Sequence, residues 1–306
     1  MNNLEDQIRK VVIVGLDQAG KTSILNILNQ EYNLMDNIKP TIGVNRKILE
    51  VLGFQIVSFD LGGQERFREG YLSDPKIFQG TDTLICVIDA LNATRYQEAL
   101  QYYQEIIKTF ELLNLKPKIM ICIHKIDPNL RSDPETLDYI EEVKDLFVPA
   151  SEGYEVTMFV TSIYDRSSIV RAFSKNLQDL ITTIKPLKPT LQSLVQLLKL
   201  DGAVLFDENL MIIADHFRDK VTEDMCYKTV YNSVYYITQQ NPNLAANLTV
   251  NFEIILGAQN VSKQFSFIQL PFKGWNLYLL TMGKDKFYPK TLLAKFNSIA
   301  TLHEKE

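Results

Sequence analysis

Eight residues near the N-terminus constrain the fold of this 306-residue chain more than any others do. Residues 15–22, Gly-Leu-Asp-Gln-Ala-Gly-Lys-Thr, match the pattern G-x-x-x-x-G-K-[ST] at every fixed position. A short apolar run over residues 10–15 precedes the loop, and a helical pattern over residues 21–30 follows it. A strand, a glycine-containing loop and a helix in this order predict a phosphate-binding loop, the P-loop.

The residues of the P-loop have the chemistry that a polyphosphate requires. Glycine lets the backbone approach closely, and the amide N–H groups at the start of a helix attract an anion. We expect Lys21 to reach the β- and γ-phosphates and Thr22 to give its hydroxyl to Mg²⁺. The other residues expected to line the nucleotide here are Asp17, Gln18, Ala19, Gly20 and Ser23.

Two later segments supply the remaining groups for phosphate chemistry. Asp60 ends a strand-like run, in Asp-Leu-Gly-Gly-Gln, and is suited to hold Mg²⁺ through water. Gly63 can offer its N–H to a γ-phosphate, and Gln64 can orient the attacking water. Between the P-loop and Asp60, Thr41 follows Pro40 and can reach both Mg²⁺ and the γ-phosphate. The predicted catalytic residues are Gln64, Lys21 and Thr41, and the predicted Mg²⁺ site consists of Thr22, Thr41 and Asp60.

A third segment predicts selection of guanine. Residues 124–127, His-Lys-Ile-Asp, follow an apolar strand, where the usual signal is Asn-Lys-x-Asp. Asp127 can accept two hydrogen bonds from guanine, a donor pair that adenine lacks, and Lys125 can lie along the base. His124 replaces the usual asparagine, and a neutral imidazole donates one hydrogen bond with a different geometry. Ser162 and Ile163 end the next strand, where a backbone N–H could meet the guanine O6.

The order of elements predicts two domains. Short apolar strands alternate with longer helices up to about residue 183, which is typical of βαβ units and a parallel sheet. Pro186 and Pro189 break this pattern and favour extended chain. The predicted domains are residues 1–186 and 187–306. In the second, a helix at 190–199, strands at 203–206 and 210–214, a helix at 222–239, three strands and a final helix predict one antiparallel sheet covered by helices.

Composition excludes several function classes. A net charge of -5 gives no reason to expect nucleic acid as a partner. No apolar run approaches the length that spans a bilayer, and the sequence carries neither a signal peptide nor a lipidation motif. We therefore expect a cytoplasmic protein that meets membranes only through partners.

The motifs as a set resemble the Ras-like superfamily of small GTPases. The P-loop, residues 40–43 and residues 60–65 are similar to the Arf and Arf-like branch, whereas residues 124–127 and 161–165 are similar to the Rag/Gtr branch. The stretch from residue 172 to residue 207 also resembles Rag/Gtr proteins. The resemblance implies an α/β fold: a P-loop NTPase G domain with a mostly parallel sheet, then an α/β roadblock-like domain with an antiparallel sheet.

The same resemblance implies cofactors and partners. The cofactors would be GTP or GDP with Mg²⁺. The chain would form a homodimer or heterodimer with a Rag/Gtr-like GTPase through its C-terminal domain, and GAP and GEF proteins would regulate it. A roadblock or longin-type scaffold would place it peripherally on endomembranes.

Several readings of the function stay open from sequence alone. The first is a hydrolysing switch with slow intrinsic turnover that a partner stimulates, because no arginine finger can be assigned and Arg66 and Arg68 are interpreted as solvated surface charge. The alternatives are a non-hydrolysing nucleotide-sensing scaffold subunit, an Arf-like trafficking GTPase, and a P-loop ATPase or nucleotide kinase. Asp127 with Lys125 argues against the last of these.

Overall fold

The chain divides into two units, Met1–Asn176 and Leu177–Glu306. The computed structural model describes residues 8–29, 31, 41–51, 54–180, 184–207, 209–231, 249–256, 261–272, 274–285 and 289–303. The predicted domain boundary after residue 186 therefore lies within the second unit. Pro40 and the predicted helical residues 232–239 lie outside the described residues.

The first unit is built on a six-stranded sheet with the order β2-β3-β1-β4-β5-β6. Only the β2–β3 pair is antiparallel among these strands, and the other neighbours are parallel. The strands are β1 (Ile8–Val14), β2 (Val44–Val51), β3 (Phe54–Leu61), β4 (Thr83–Asp89), β5 (Lys118–His124) and β6 (Val156–Thr161).

Among the described residues, five helices accompany this sheet, and the last of them extends past Asn176 into the second unit. They are α1 (Lys21–Leu28), α2 (Glu65–Ser73), α3 (Tyr96–Leu112), α4 (Pro134–Phe147) and α5 (Arg166–Leu180), with short 3₁₀ turns at Pro75–Phe78, Ala93–Arg95 and Pro149–Ser151. α4 begins where it does because Asp133 accepts a hydrogen bond from the Thr136 N–H, and Pro134 occupies the first helical position. Neither α2 nor α4 was predicted from the sequence.

The core of the first unit lies between the sheet and α3. β4 and β5 are buried along nearly their whole length, as parallel strands covered on both faces must be. α3 contributes Tyr103 and Phe110, which are fully buried. The Phe110 ring meets Phe78 edge-on at 5.6 Å, and the Tyr103 ring lies 5.4 Å from that of Phe147. Burial of each such ring contributes about 2–3 kcal/mol, so this layer fixes the sheet from which the loops emerge.

The parallel strands all end at the same edge of the sheet. The P-loop follows β1, and the order β3-β1-β4 places β1 at the point where the direction of strand addition reverses. In open α/β sheets ligands bind outside the carboxyl ends of the strands at this point. The fold therefore brings the segments after β1, β3, β5 and β6 to one edge.

The second unit has its own sheet of five strands in the order β8-β7-β11-β10-β9. All its neighbouring strands are antiparallel. The strands are β7 (Gly202–Phe206), β8 (Ile212–Phe217), β9 (Thr249–Leu256), β10 (Val261–Phe272) and β11 (Trp275–Gly283). The helices in the described part of this unit are α6 (Leu187–Leu198), α7 (Lys220–Thr229) and α8 (Pro289–His303). The predicted fold class, a mostly parallel sheet followed by an antiparallel one, is confirmed.

Two local predictions in the second unit were wrong. α6 begins at Leu187 rather than at residue 190 and includes Pro189. Proline is tolerated there because the first-turn N–H groups of a helix have no intrahelical partner. β8 begins at Ile212 rather than at Leu210, because Asp207 Oδ1 accepts hydrogen bonds from Asn209 N and Met211 N and so extends the turn.

The described part of the chain contains no helix with the length and apolar character needed to cross a membrane.

Candidate functional site

The P-loop is held in its shape by close backbone approaches. Gly15 has φ +143°, and a Cβ there would lie 2.3 Å from the Val87 carbonyl oxygen on β4. Gly20 has φ +100° and is the N-cap of α1. A Cβ on Gly20 would lie 2.4 Å from the His124 ring. Both positions therefore need glycine, as the sequence pattern requires.

Lys21 lies inside the loop that it would serve. Its Nζ donates to the carbonyl oxygens of Gly15 at 3.0 Å and Leu16 at 2.8 Å. Burial lowers the pKa of Lys21 to about 8, and the nearby carboxylates of Asp60 and Asp17 oppose this shift. An anion at the loop would favour the charged form further. Gln18, Ala19 and Ser23 lie in the same loop and first helical turn.

The three predicted magnesium ligands converge. Thr22 Oγ1 donates to Asp60 Oδ2 at 2.7 Å, and Thr41 Oγ1 donates to the same oxygen at 3.1 Å. The two hydroxyl oxygens are 2.9 Å apart. Asp60 is fully buried, and burial raises its pKa. Its Oδ1 is a buried atom without a hydrogen-bond partner. One carboxylate and two hydroxyls are hard oxygen ligands, which fits Mg²⁺ that keeps waters and binds phosphate.

The segment after β3 lies against the P-loop. Asp17 N donates to the Gly63 carbonyl oxygen at 3.1 Å, and a Cβ on Gly63 would lie 2.3 Å from Asp17 N. Tyr71 Oη, from α2, donates to the Gly43 oxygen at 2.7 Å and accepts from Gly62 N at 3.1 Å. This hydroxyl ties the loop of Thr41 to the loop of Gly63, and the sequence analysis missed it.

Gln64 is partly exposed at the start of α2, where it is the N-cap. Its carbonyl oxygen accepts from Phe67 N and Arg68 N, so the helix fixes the backbone that carries the predicted water-orienting side chain. Arg66 is exposed, as predicted. The interpretation of Arg68 as solvated surface charge was wrong: it is buried, with its guanidinium 5.2 Å from the centre of the Tyr102 ring.

The residues predicted for the base gather around the ends of β5 and β6. His124 is buried, and its Nδ1 is 3.0 Å from Thr161 Oγ1. Burial lowers the pKa of His124 to about 4, and the charge of Lys125 acts in the same direction. The ring is therefore neutral at pH 7. It contacts Gly20, so this histidine joins the segment after β5 to the P-loop.

The rest of the base site is also assembled. Asp127 Oδ1 accepts from Ser162 Oγ at 2.5 Å. Lys125 Nζ donates to Asp89 Oδ2 at 2.8 Å, a contact at the end of β4 that the sequence analysis missed. Ser162 N donates to Ser168 Oγ, so the expected contact to the guanine O6 falls to Ile163 N. That contact and the roles of the other site residues stay predictions.

The chain matches known proteins over most of its length. Residues 10–234 match the model of the family described as Gtr1/RagA G protein conserved region. The chain is 29% identical over 224 residues to Ras-related GTP-binding protein A of Dictyostelium discoideum, covering 71% of this chain and 72% of that protein. It is 34% identical over 125 residues to the ADP-ribosylation factor-like protein alp41 of Schizosaccharomyces pombe, covering 40% of this chain and 63% of that protein.

Among solved structures, the chain is similar to the Arl6 BBS3 small GTPase of Trypanosoma brucei, determined with the bound nucleotide analogue GppNp. The TM-score is 0.46 at 20% sequence identity, and the match covers 56% of this chain and 97% of that one.

Proposed function

This chain belongs to the Gtr1/RagA G protein family, and from that premise we propose that it is a GTP-binding and GTP-hydrolysing molecular switch. The observation that carries the proposal is the convergence of Thr22, Thr41 and Asp60 beside a P-loop lysine. Thr41 belongs to a different loop from the other two. A γ-phosphate with Mg²⁺ would hold that loop in place, and loss of the phosphate would release it.

The residues of the chain divide the work of hydrolysis. Lys21 and the P-loop amides bind and orient the phosphates, and Asp127 selects guanine. Gln64 positions the water that attacks the γ-phosphorus while the bond to the β,γ-bridging oxygen breaks. Mg²⁺, when bound, neutralises charge on the β- and γ-phosphates. We expect an intrinsic hydrolysis rate of about 10⁻⁴ to 10⁻³ s⁻¹, which a GAP would raise. A GEF would restore the GTP-bound state by exchanging GDP for GTP.

Calorimetric titration of the nucleotide-stripped protein tests the nucleotide assignment. We expect GDP and a non-hydrolysable GTP analogue to bind in the presence of Mg²⁺ and ATP not to bind. Asp127→Asn should lose guanine nucleotides and gain xanthine nucleotides, because the amide donates where the carboxylate accepts. Asp138→Asn, an exposed aspartate on α4, is the matched control and should behave as the wild type does. Equal binding of ATP, or no guanine binding, would overturn the proposal.

Single-turnover hydrolysis separates an enzyme from a passive sensor. Gln64→Leu replaces the amide with two methyl groups, so we expect phosphate release to slow while GDP affinity changes little. If wild type and variant were equally inactive, also with cell extract as a source of GAP, the chain would be a non-hydrolysing nucleotide sensor.

We also propose that the chain dimerises with itself or with a second Rag/Gtr-like GTPase through its C-terminal domain, and that a roadblock or longin-type scaffold holds it on endomembranes from the cytoplasm. The named relatives and the separate antiparallel sheet support this proposal. Light scattering on the full chain measures the first part: a monomer at all accessible concentrations would exclude a homodimer. Membrane fractionation before and after a high-salt wash measures the second, and a chain that resists the wash contradicts peripheral attachment through protein.

A further inference from the structure

The P-loop carries an acidic side chain at a position where acidity opposes its proposed ligand. Asp17 N donates to the carbonyl oxygen of Gly63, the residue expected to offer its N–H to the γ-phosphate. The Asp17 carboxylate therefore belongs to a residue whose backbone is hydrogen-bonded to the one expected to meet the γ-phosphate. Like charges in proximity repel, and a triphosphate brings more negative charge to this end of the site than a diphosphate does.

One arginine holds this carboxylate. Arg95 Nη2 donates to Asp17 Oδ1 at 2.8 Å, and Arg95 Nη1 donates to the Asp17 backbone oxygen at 3.3 Å. The side chains of Arg95 and Asp17 are 30% and 34% exposed, so solvent screens their attraction only in part. One bond holds the carboxylate and the other holds the backbone of the same residue, so Arg95 orients the Asp17 side chain and offsets its charge.

The arginine is itself held in place. Arg95 Nε donates to Glu98 Oε2 at 2.9 Å, one turn further along the chain, and Arg95 Nη2 reaches Glu98 Oε1 at 3.2 Å. Glu98 Oε1 also accepts from Arg68 Nη2 of α2 at 2.5 Å. Glu98 thus orients the guanidinium of Arg95 and also binds α2, the helix that begins directly after Gln64.

We propose that Arg95 is a positioning residue that sets the preference of this site between GTP and GDP, by drawing the Asp17 carboxylate away from the γ-phosphate and offsetting its charge. The inference rests on the proposed function, because it concerns how the same site distinguishes its two nucleotides. Without Arg95 the free carboxylate would repel the γ-phosphate and leave the diphosphate less affected.

An ion pair with a purely structural role predicts a different effect on the two nucleotides. A pair that only braces the loop would, once broken, weaken both nucleotides to the same extent. An electrostatic role predicts an unequal loss, which removal of the Asp17 charge would reverse. The informative quantity is therefore the ratio of the dissociation constants of a non-hydrolysable GTP analogue and of GDP.

The test measures this ratio with Mg²⁺ at low and physiological salt for wild type, Arg95→Ala, Asp17→Asn and the double variant. We expect Arg95→Ala to raise the ratio about tenfold, less at higher salt. The double variant should return to within about twofold of Asp17→Asn alone, because no charge then needs to be offset. Arg131→Ala is the matched control, since it breaks another arginine–aspartate pair, to Asp165 at 2.6 Å, and should leave the ratio unchanged.

Each result decides the matter. A raised ratio that the double variant restores supports the role of Arg95. An unchanged ratio, or a loss that Asp17→Asn does not restore, overturns it while GDP binding by the wild type leaves the proposed function intact. Failure of the wild type to bind either nucleotide overturns the proposed function, and the role of Arg95 with it.

Discussion

Burial of His124 makes the stability of the first unit depend on pH. Burial lowers the pKa of this imidazole from 6.5 to about 4, so the unfolded chain binds a proton across that window and the folded chain does not. Stability must then fall as the pH falls from about 6.5 towards 4, and it is fully present above this range. The whole shift corresponds to about 3 kcal/mol, of which about 2 kcal/mol is lost between pH 7 and pH 5.

His124→Asn removes this titration and keeps a polar group beside Thr161. Carboxylates also titrate as the pH falls, so the quantity to measure is how the stability difference between wild type and variant changes from pH 7 to pH 5. We expect the variant to lose about 2 kcal/mol less than the wild type does over this range. Nucleotide must be removed beforehand, since a bound ligand adds its own stabilisation.

The assay has to report the first unit alone. Pulse-labelled hydrogen exchange along a urea series, read on β5 peptides, follows that unit. Fluorescence of Trp275, the one tryptophan of the chain, follows the second unit. His216→Asn changes a histidine on β8 of the second unit and serves as the control. If wild type and His124→Asn lost equal stability between pH 7 and pH 5, the imidazole would not be buried in its neutral form.

Three further perturbations address the phosphate side. Gly63→Ala places a Cβ 2.3 Å from the P-loop backbone, and we expect single-turnover GTP hydrolysis to slow about a hundredfold. Gly70→Ala, where a Cβ meets nothing within 4 Å, should leave that rate unchanged, and an equal effect of the two changes would refute the steric argument. Asp60→Asn should reduce the gain in GDP affinity on adding Mg²⁺ about tenfold or more, as measured by titration with and without EDTA; an unaltered gain would place the ion elsewhere. Tyr71→Phe removes a hydroxyl that bridges two loops, and urea denaturation should show a loss of about 1–2 kcal/mol, whereas no loss would mean that the bridge contributes nothing.

The parts of the site that could be predicted are those in which function depends on a contiguous motif. The P-loop, the segment of Asp60 and that of Asp127 each combine residue types with a fixed local geometry. A parallel sheet brings the ends of its strands to one edge, so the motifs meet once the strands are assigned. The prediction that these segments lie together therefore needed no knowledge of side-chain packing.

The helices that were missed or misplaced have sequence signals that are weak, or that were overlooked or misread. α4 carries a clear start signal, Asp133 followed by Pro134, which could have been found. α2 has a charged sequence without clear periodicity, and Tyr71 anchors it through contacts to a distant loop. Such tertiary anchoring is not visible in a local pattern. Pro189 misled because a proline ends a helix in its interior but is accepted in its first turn.

Arg95 shows why side-chain partners outside the motifs could not be predicted. It lies 78 residues from Asp17 along the chain, and from the sequence alone other arginines could equally well be the partner of Asp17. Only the placement of the 3₁₀ turn Ala93–Arg95, which precedes α3, beside the P-loop selects this one. The motifs of a nucleotide site thus predict its backbone geometry. The charged side chains that contact those motifs depend on which segments the fold places beside them.

The same reasoning applies to His124 and Gly20, which should be considered as a pair. A Cβ on Gly20 would overlap the imidazole at 2.4 Å, so the ring occupies the space that the missing side chain leaves. The imidazole fits beside the P-loop because the N-cap of α1 is a glycine, and Thr161 engages the Nδ1 of the ring. A change at position 124 therefore alters P-loop packing and base-site hydrogen bonding together. We expect any substitution there to change GDP affinity and stability at the same time.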